Sequence, residues 1–159
     1  MAAPERPAPG RRRIGSEMRI LVPVDGSAPA NRAVAHAIGL ARGRDDALIV
    51  VVNVQGPETS EVSDVSAVMS VAADRRLAAR RSTSALRKAA RLCTTAEVRF
   101  ETRAELGPIA ETIDRLAREL QVDQIVIGSR GLGGIGRLIL GSVATKVARL
   151  ARVPVTLVK

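Results

Sequence analysis

Val126-Ile-Gly-Ser-Arg-Gly-Leu-Gly-Gly-Ile-Gly-Arg-Leu-Ile-Leu-Gly-Ser-Val143 decides how the rest of the chain is read. The apolar run closing at Ile127 predicts a strand, and the glycine-rich segment from Gly128 onward predicts a loop. A helical pattern resumes after Gly141-Ser142. Strand, glycine loop and helix N-terminus together make an arrangement suited to phosphate. Glycine lets the backbone approach the anion, and the N–H groups that open the helix point at it. Glycine also costs conformational entropy on folding, so a connection this rich in it points to an anion or nucleotide site rather than a plain turn.

Two common patterns fall on this stretch, and neither holds. Gly131, Gly133 and Gly136 spell G-x-G-x-x-G, which marks a dinucleotide site when a βαβ unit follows and an acidic residue for the ribose lies about 20 positions on. Residues 137–159 contain no Asp or Glu. Gly136 to Ser142 reads as a phosphate-binding loop in which Ser142 stands where the lysine belongs, and Lys146 lies a turn inside the helix. Both are set aside. A third spacing fits: Gly128, Gly131, Gly141 and Ser142 give G-x2-G-x9-G-S. This resembles the nucleotide-binding signature of the universal stress protein family. Ile20-Leu-Val-Pro-Val-Asp-Gly-Ser27 is similar to the first strand of the same family, and the resemblance covers residues 18–159.

Length and composition agree with one domain. The chain has 159 residues, enough for a single core, and no stretch approaches the roughly 20 apolar residues of a membrane helix. Cys93 is the single cysteine, which excludes an internal disulfide framework and fits a reducing compartment, the cytoplasm. With His36 as the single histidine, no metal site is expected. The absence of Trp and Tyr removes the stacking platforms of single-strand nucleic-acid binders. The net charge of +9 is spread over arginines interleaved with alanines and acids, which reads as a solvated helix face and not as a specific nucleic-acid surface.

Outward from the glycine stretch, hydrophobic periodicity sets out alternating strands and helices. Residues 1–17 are rich in Pro, Ala and Arg and read as a disordered basic tail before a domain at 18–159. A first strand at 19–25 leads through Asp25-Gly-Ser27 into a helix capped by Ser27, with Ala30, Ala33, Val34, Ala37, Ile38 and Ala41 as its apolar stripe and Gly43 at its end. His36 lies off that stripe and reads as a surface residue. The continuous apolar run 47–54 predicts a strand covered on both faces. A polar connection spans 55–68 and a long Ala/Arg helix 70–92, with Cys93 as a core or boundary residue. A third strand is expected at 96–102 with Val98 and Phe100 on one face, then a turn at 105–108. The next helix carries Ile109, Ile113, Leu116 and Leu120. Strand 123–128, a last helix with Val143, Val147, Leu150 and Ala151 on one side, and strand 154–158 complete the chain.

Such alternation predicts a doubly wound α/β fold, a parallel sheet with helices on both faces. The family resemblance implies five strands in the order 3-2-1-4-5. Strands 1 and 4 are then neighbours where the order reverses, which is where such sheets bind ligands. Asp25 and Gly128 would face each other there across a crevice. A carboxylate at Asp25 can accept from ribose hydroxyls or help hold a metal, or it can cap the following helix through an Asx-type turn. Gly131 and Gly141 would let backbone N–H groups approach phosphates. Ser142 and the amide of Val143 sit at the positive end of a helix dipole, though Ser142 also suits an ordinary N-cap.

The resemblance adds Pro23 and Val24 beside the nucleoside, the backbone of Val54 against adenine, and Ser129 and Arg130 inside the loop. Asn53 stands where family members commonly have His, a departure expected to matter little for a backbone contact. The resemblance also implies ATP with Mg2+ as ligand, and an antiparallel homodimer through the apolar C-terminal strand. No catalytic residue is assigned, since neither motif carries His, Cys or paired carboxylates. The expectation is an ATP-binding regulator of the stress response, acting on an unidentified protein client, with slow or no hydrolysis. A nucleotide-independent adaptor of the same fold and a weak nucleotide hydrolase are the alternatives.

Overall fold

The strands that read as continuous apolar runs are the ones the fold buries on both faces. The computed structural model describes residues 17–56, 65–131 and 140–159. Its elements are β1 (Met18–Pro23), α1 (Ala28–Ala41), β2 (Ala47–Gln55), α2 (Val65–Thr95), β3 (Phe100–Leu106), α3 (Ile109–Glu119), β4 (Gln124–Gly128), α4 (Ser142–Leu150) and β5 (Val155–Val158). All strand pairs are parallel, and the order is β3-β2-β1-β4-β5, as expected. The tail at 1–16 and most of the 55–68 connection lie outside the described residues. Glu17 is described, and its carboxylate pairs with Arg19 at 3.0 Å and with Arg99 at 2.7 Å.

Side-chain alternation divides the core into two layers. Ile20, Val22, Val24, Ile49, Val51 and Val126 face α1 and α2, where they meet Ala33, Val34, Ala37, Ala85, Ala89 and Cys93. Leu21, Val50, Val52, Val54, Ile125 and Ile127 face the other way, onto Ile113, Leu116, Ala117, Ala144 and Val147 of α3 and α4. All six stripe residues expected for α1 are buried, and His36 is exposed. In α4 the stripe is narrower than expected: Ala144 and Val147 are buried, whereas Leu150 is 39% exposed. Burial pushes the Cys93 thiol up to about 11, so it stays protonated and unreactive in the core.

Several boundaries move. The third strand starts at Phe100 and not at residue 96, because α2 runs on to Thr95 and closes in a Schellman turn. Glu97 adopts φ 54°, its N–H reaches Thr94 O at 3.1 Å, and Val98 N–H reaches Cys93 O at 3.3 Å. Val98 thus packs on the core from a turn. The same strand continues to Leu106, so only Gly107 and Pro108 remain of the expected turn, Gly107 N–H bonding Gln55 O at 2.9 Å. Helix α2 begins at Val65, because serine weakens a helix only slightly relative to alanine and the serines at 66 and 70 do not stop it. The remaining strands differ by one or two residues from expectation: β1 is Met18–Pro23, β2 reaches Gln55, β4 begins at Gln124 and β5 at Val155.

Candidate functional site

β1 and β4 are adjacent, and both end at the same rim of the sheet, which brings the two sequence motifs together. A side-chain carbon placed on Gly131 would lie 2.6 Å from Asp25 Oδ2. Residues 106 positions apart in sequence therefore share one crevice at the reversal of strand order.

The β1 wall is tightly bonded. Pro23 and Val24 are buried, and Val24 N–H still pairs with Val52 O of β2 at 2.8 Å although the strand has formally ended. Asp25 Oδ1 accepts from Ser27 N–H at 2.9 Å, so the Asx-type turn considered from the sequence is present. Gly26 at φ 88° makes the bend, a conformation that disfavours any side chain. Ser27 then caps α1 as expected: its Oγ accepts from Ala30 N–H at 3.2 Å, with Pro29 in the first turn. Val54 is buried near the end of β2 on the opposite face from Asn53.

The β4 wall is built on glycine. Gly128 is the point where α1 touches the sheet: a side-chain carbon there would stand 2.8 Å from Ala30 N and Pro29 C. Ser129 is buried and serves through its backbone. Its N–H bonds Val158 O at 2.7 Å, and its carbonyl accepts from Gly141 N–H at 2.7 Å. That last bond clamps the two ends of the glycine loop together. It also occupies the Gly141 N–H that the sequence offered to phosphate. Residues 132–139 of the loop lie outside the described residues. Arg130 and Gly131 are exposed, and Arg130 lines an open cleft with Pro29, Arg32, Ser129 and Lys159.

At α4 the N-cap is Gly141 and not Ser142, which is the first helical residue and is exposed. Among the described residues, no side chain caps this helix. The first intrahelical bond runs from Thr145 N–H to Gly141 O at 2.9 Å, so the N–H groups of Ser142, Val143 and Ala144 come before it, as at any helix start. Val143 is half-buried against the core. Among the described residues, no three His, Cys, Asp or Glu side chains gather to hold a metal, and no helix is long and apolar enough to cross a membrane. Asn53, read from the sequence as a departure of little consequence for a backbone contact, has a structural task of its own. It is buried, and its amide bonds the Val24 carbonyl at 2.5 Å, a partner 29 positions away that no local pattern announces.

A parallel five-stranded sheet with two helices on each face, and a crevice where its strand order reverses, defines a doubly wound α/β protein of the Rossmann-like kind. Within that class the chain belongs to the universal stress protein family, whose family model matches residues 18–159. A universal stress protein of Methanocaldococcus jannaschii is 30% identical over 147 residues, which cover 89% of this chain and 81% of that one. Among solved structures, the universal stress protein UspA from Lactobacillus plantarum superimposes with a TM-score of 0.77 at 25% identity, over 91% of this chain and 99% of that chain. A universal stress protein in complex with cAMP superimposes with a TM-score of 0.65 at 28% identity, over 89% of this chain and 97% of that chain.

Proposed function

We propose that this protein binds an adenine nucleotide, ATP with Mg2+, in the crevice between β1 and β4, and acts as a homodimeric, nucleotide-dependent regulator of the stress response. The observation that carries the reading is the meeting of Asp25 Oδ2 with the open face of Gly131, 2.6 Å from where its side chain would begin. A carboxylate for hydroxyl groups and a glycine backbone for phosphates stand side by side, as a nucleotide requires. A relative 28% identical is described in complex with cAMP, which supports the adenine part of the reading.

Each residue then has a task. Pro23 and Val24 wall the nucleoside, the Val54 backbone meets the adenine edge, and Asp25 accepts from the ribose. Gly131, Ser142 and Val143 offer N–H groups to the phosphates at the positive end of α4, with the Ser142 hydroxyl and Arg130 beside them. Gly128, Ser129 and Gly141 hold the loop in shape. A single carboxylate suits Mg2+ carried in on the phosphates, since that ion is commonly held by one or two carboxylates and the nucleotide itself. Without a phosphate-reaching lysine or a paired carboxylate in either motif, turnover is slow or nil.

Strand β5 supports the dimer. Among the described residues it ends the sheet with an unpaired backbone edge between half-buried Val155, Thr156 and Val158, and it exposes 38% of Leu157. A second copy pairs there antiparallel, and nucleotide occupancy changes the surface shown to a cytoplasmic protein client. Thermal unfolding with increasing Mg-ATP tests the site: a ligand of the native state raises Tm with concentration. A rise in the wild type that Asp25→Ala makes smaller is the expected result, and a concentration-independent Tm in the wild type contradicts it. Light scattering checks the assembly, with a monomer at micromolar concentration as the contrary outcome.

A further inference from the structure

Asn53 sits on the face of β2 turned toward α1 and α2, in alternation with Ile49 and Val51 of that layer, and is 3% exposed. A buried amide is retained where its hydrogen bonds do something, because leaving it unpaired is costly. Its Nδ2 donates to the Val24 carbonyl at 2.5 Å. Since a carbonyl can only accept, the nitrogen end of Asn53 faces Val24, which leaves Oδ1 to accept from Gln55 Nε2 at 2.5 Å. Val24 already gives its N–H to Val52 O at 2.8 Å. Both polar groups of Val24 are therefore committed to β2, beyond the last residue paired in the β1–β2 ladder, Pro23.

The carbonyl that Asn53 holds belongs to the peptide plane whose other half is the Asp25 N–H. Fixing that plane fixes the direction in which Asp25 leaves the strand. The two contacts of Asp25 that define the crevice, Oδ1 to Ser27 N–H at 2.9 Å and Oδ2 toward Gly131, belong to the side chain of that same residue. We propose that Asn53 is a positioning residue: by holding the Val24 carbonyl it sets the Asp25 carboxylate against the glycine loop, and so controls how the crevice takes the ribose of an adenine nucleotide. The ligand half of this inference rests on the nucleotide reading above; the positioning half does not.

The test has two arms. In the ligand-free protein, amide hydrogen exchange is followed at Ser27 and, as a reference, at Val50 in the middle of β2. Asn53→Leu, close in size but unable to donate, speeds exchange at Ser27 tenfold or more relative to Val50. Equal changes at both amides would mean a general loss of stability and would overturn positioning. Should Asn53→Leu not fold, Asn53→Ser keeps a small polar side chain that is too short to hold the Val24 carbonyl as the amide does, and speeds Ser27 exchange several-fold relative to Val50; no change there also overturns the proposal. In the second arm, Mg-ATP affinity is measured in a double-mutant cycle. Asn53→Leu weakens binding tenfold or more in the wild-type background and less than twofold beside Asp25→Ala. Losses that multiply independently contradict action through Asp25. A wild type that binds no nucleotide, with the Ser27 exchange still responding to Asn53→Leu, removes the nucleotide reading and leaves the positioning role standing.

Discussion

Helices α1 and α4 both begin at the rim of the sheet where the crevice lies, and they begin differently. At α1 the Ser27 hydroxyl takes the Ala30 N–H at 3.2 Å, Pro29 fills the first turn, and Asp25 in turn takes the Ser27 N–H at 2.9 Å. At α4 the cap is Gly141, whose missing side chain bonds nothing, and the hydroxyl of Ser142 sits exposed inside the first turn. The α1 start is closed by its own protein. The α4 start has no side-chain cap among the described residues. On the proposed nucleotide reading, the phosphates meet the second kind of start and the carboxylate for the rest of the ligand stands beside the first.

The largest test of this contrast is Gly128→Ala. The added carbon would stand 2.8 Å from backbone atoms of Pro29 and Ala30, which cannot turn aside as a flexible side chain can. Urea denaturation should show a loss of about 3 kcal/mol, the upper range for overpacking. A loss below about 1 kcal/mol would mean that α1 does not depend on close approach to β4. Next comes Gly131→Ala. Its new carbon meets the movable end of Asp25 at 2.6 Å, so stability should change by less than about 1 kcal/mol while Mg-ATP affinity falls about tenfold, or ~1.4 kcal/mol. Retained affinity would separate Asp25 from the ligand.

The two serines make the smallest and cleanest comparison. Ser27→Ala removes the α1 cap and should cost about 1 kcal/mol in chemical denaturation. Ser142→Ala removes no capping bond and should stay within about 0.5 kcal/mol, with its effect appearing in nucleotide affinity instead. Equal stability losses at the two positions would erase the distinction between a closed and an open helix start.

Much of this was legible in the residues. The apolar runs around Ile20, Val50 and Val126 predict buried parallel strands, and all three are central in the sheet. The glycine spacing from Gly128 to Ser142 led to the family, and the α1 cap was read from Ser27. What stayed hidden has specific causes. Helix α2 ends at a left-handed Glu97 and α3 at a left-handed Gln121, φ 54° and 51°, where the usual glycine stop signal is missing. The commitment of Gly141 N–H to Ser129 O follows from loop closure, which spacing does not report. Gly128 read as a strand end and the first glycine of the nucleotide signature, yet its small size is used by α1, an element almost a hundred residues earlier. Asn53 was read as a departure of little consequence because its bond joins a side chain to the backbone of a neighbouring strand, leaving no periodic trace.

Calorimetric titration of the purified, nucleotide-stripped protein with Mg-ATP tests the central claim most directly, with Gly141→Val as control. A valine there would press on Arg130 and on the Ser129 carbonyl, already 3.4 Å from the first added carbon, and open the clamp of the glycine loop. Saturable binding in the wild type that is lost in Gly141→Val is the predicted result. A folded wild type that takes up no heat-detectable nucleotide at millimolar concentration, with equilibrium dialysis agreeing, would contradict it.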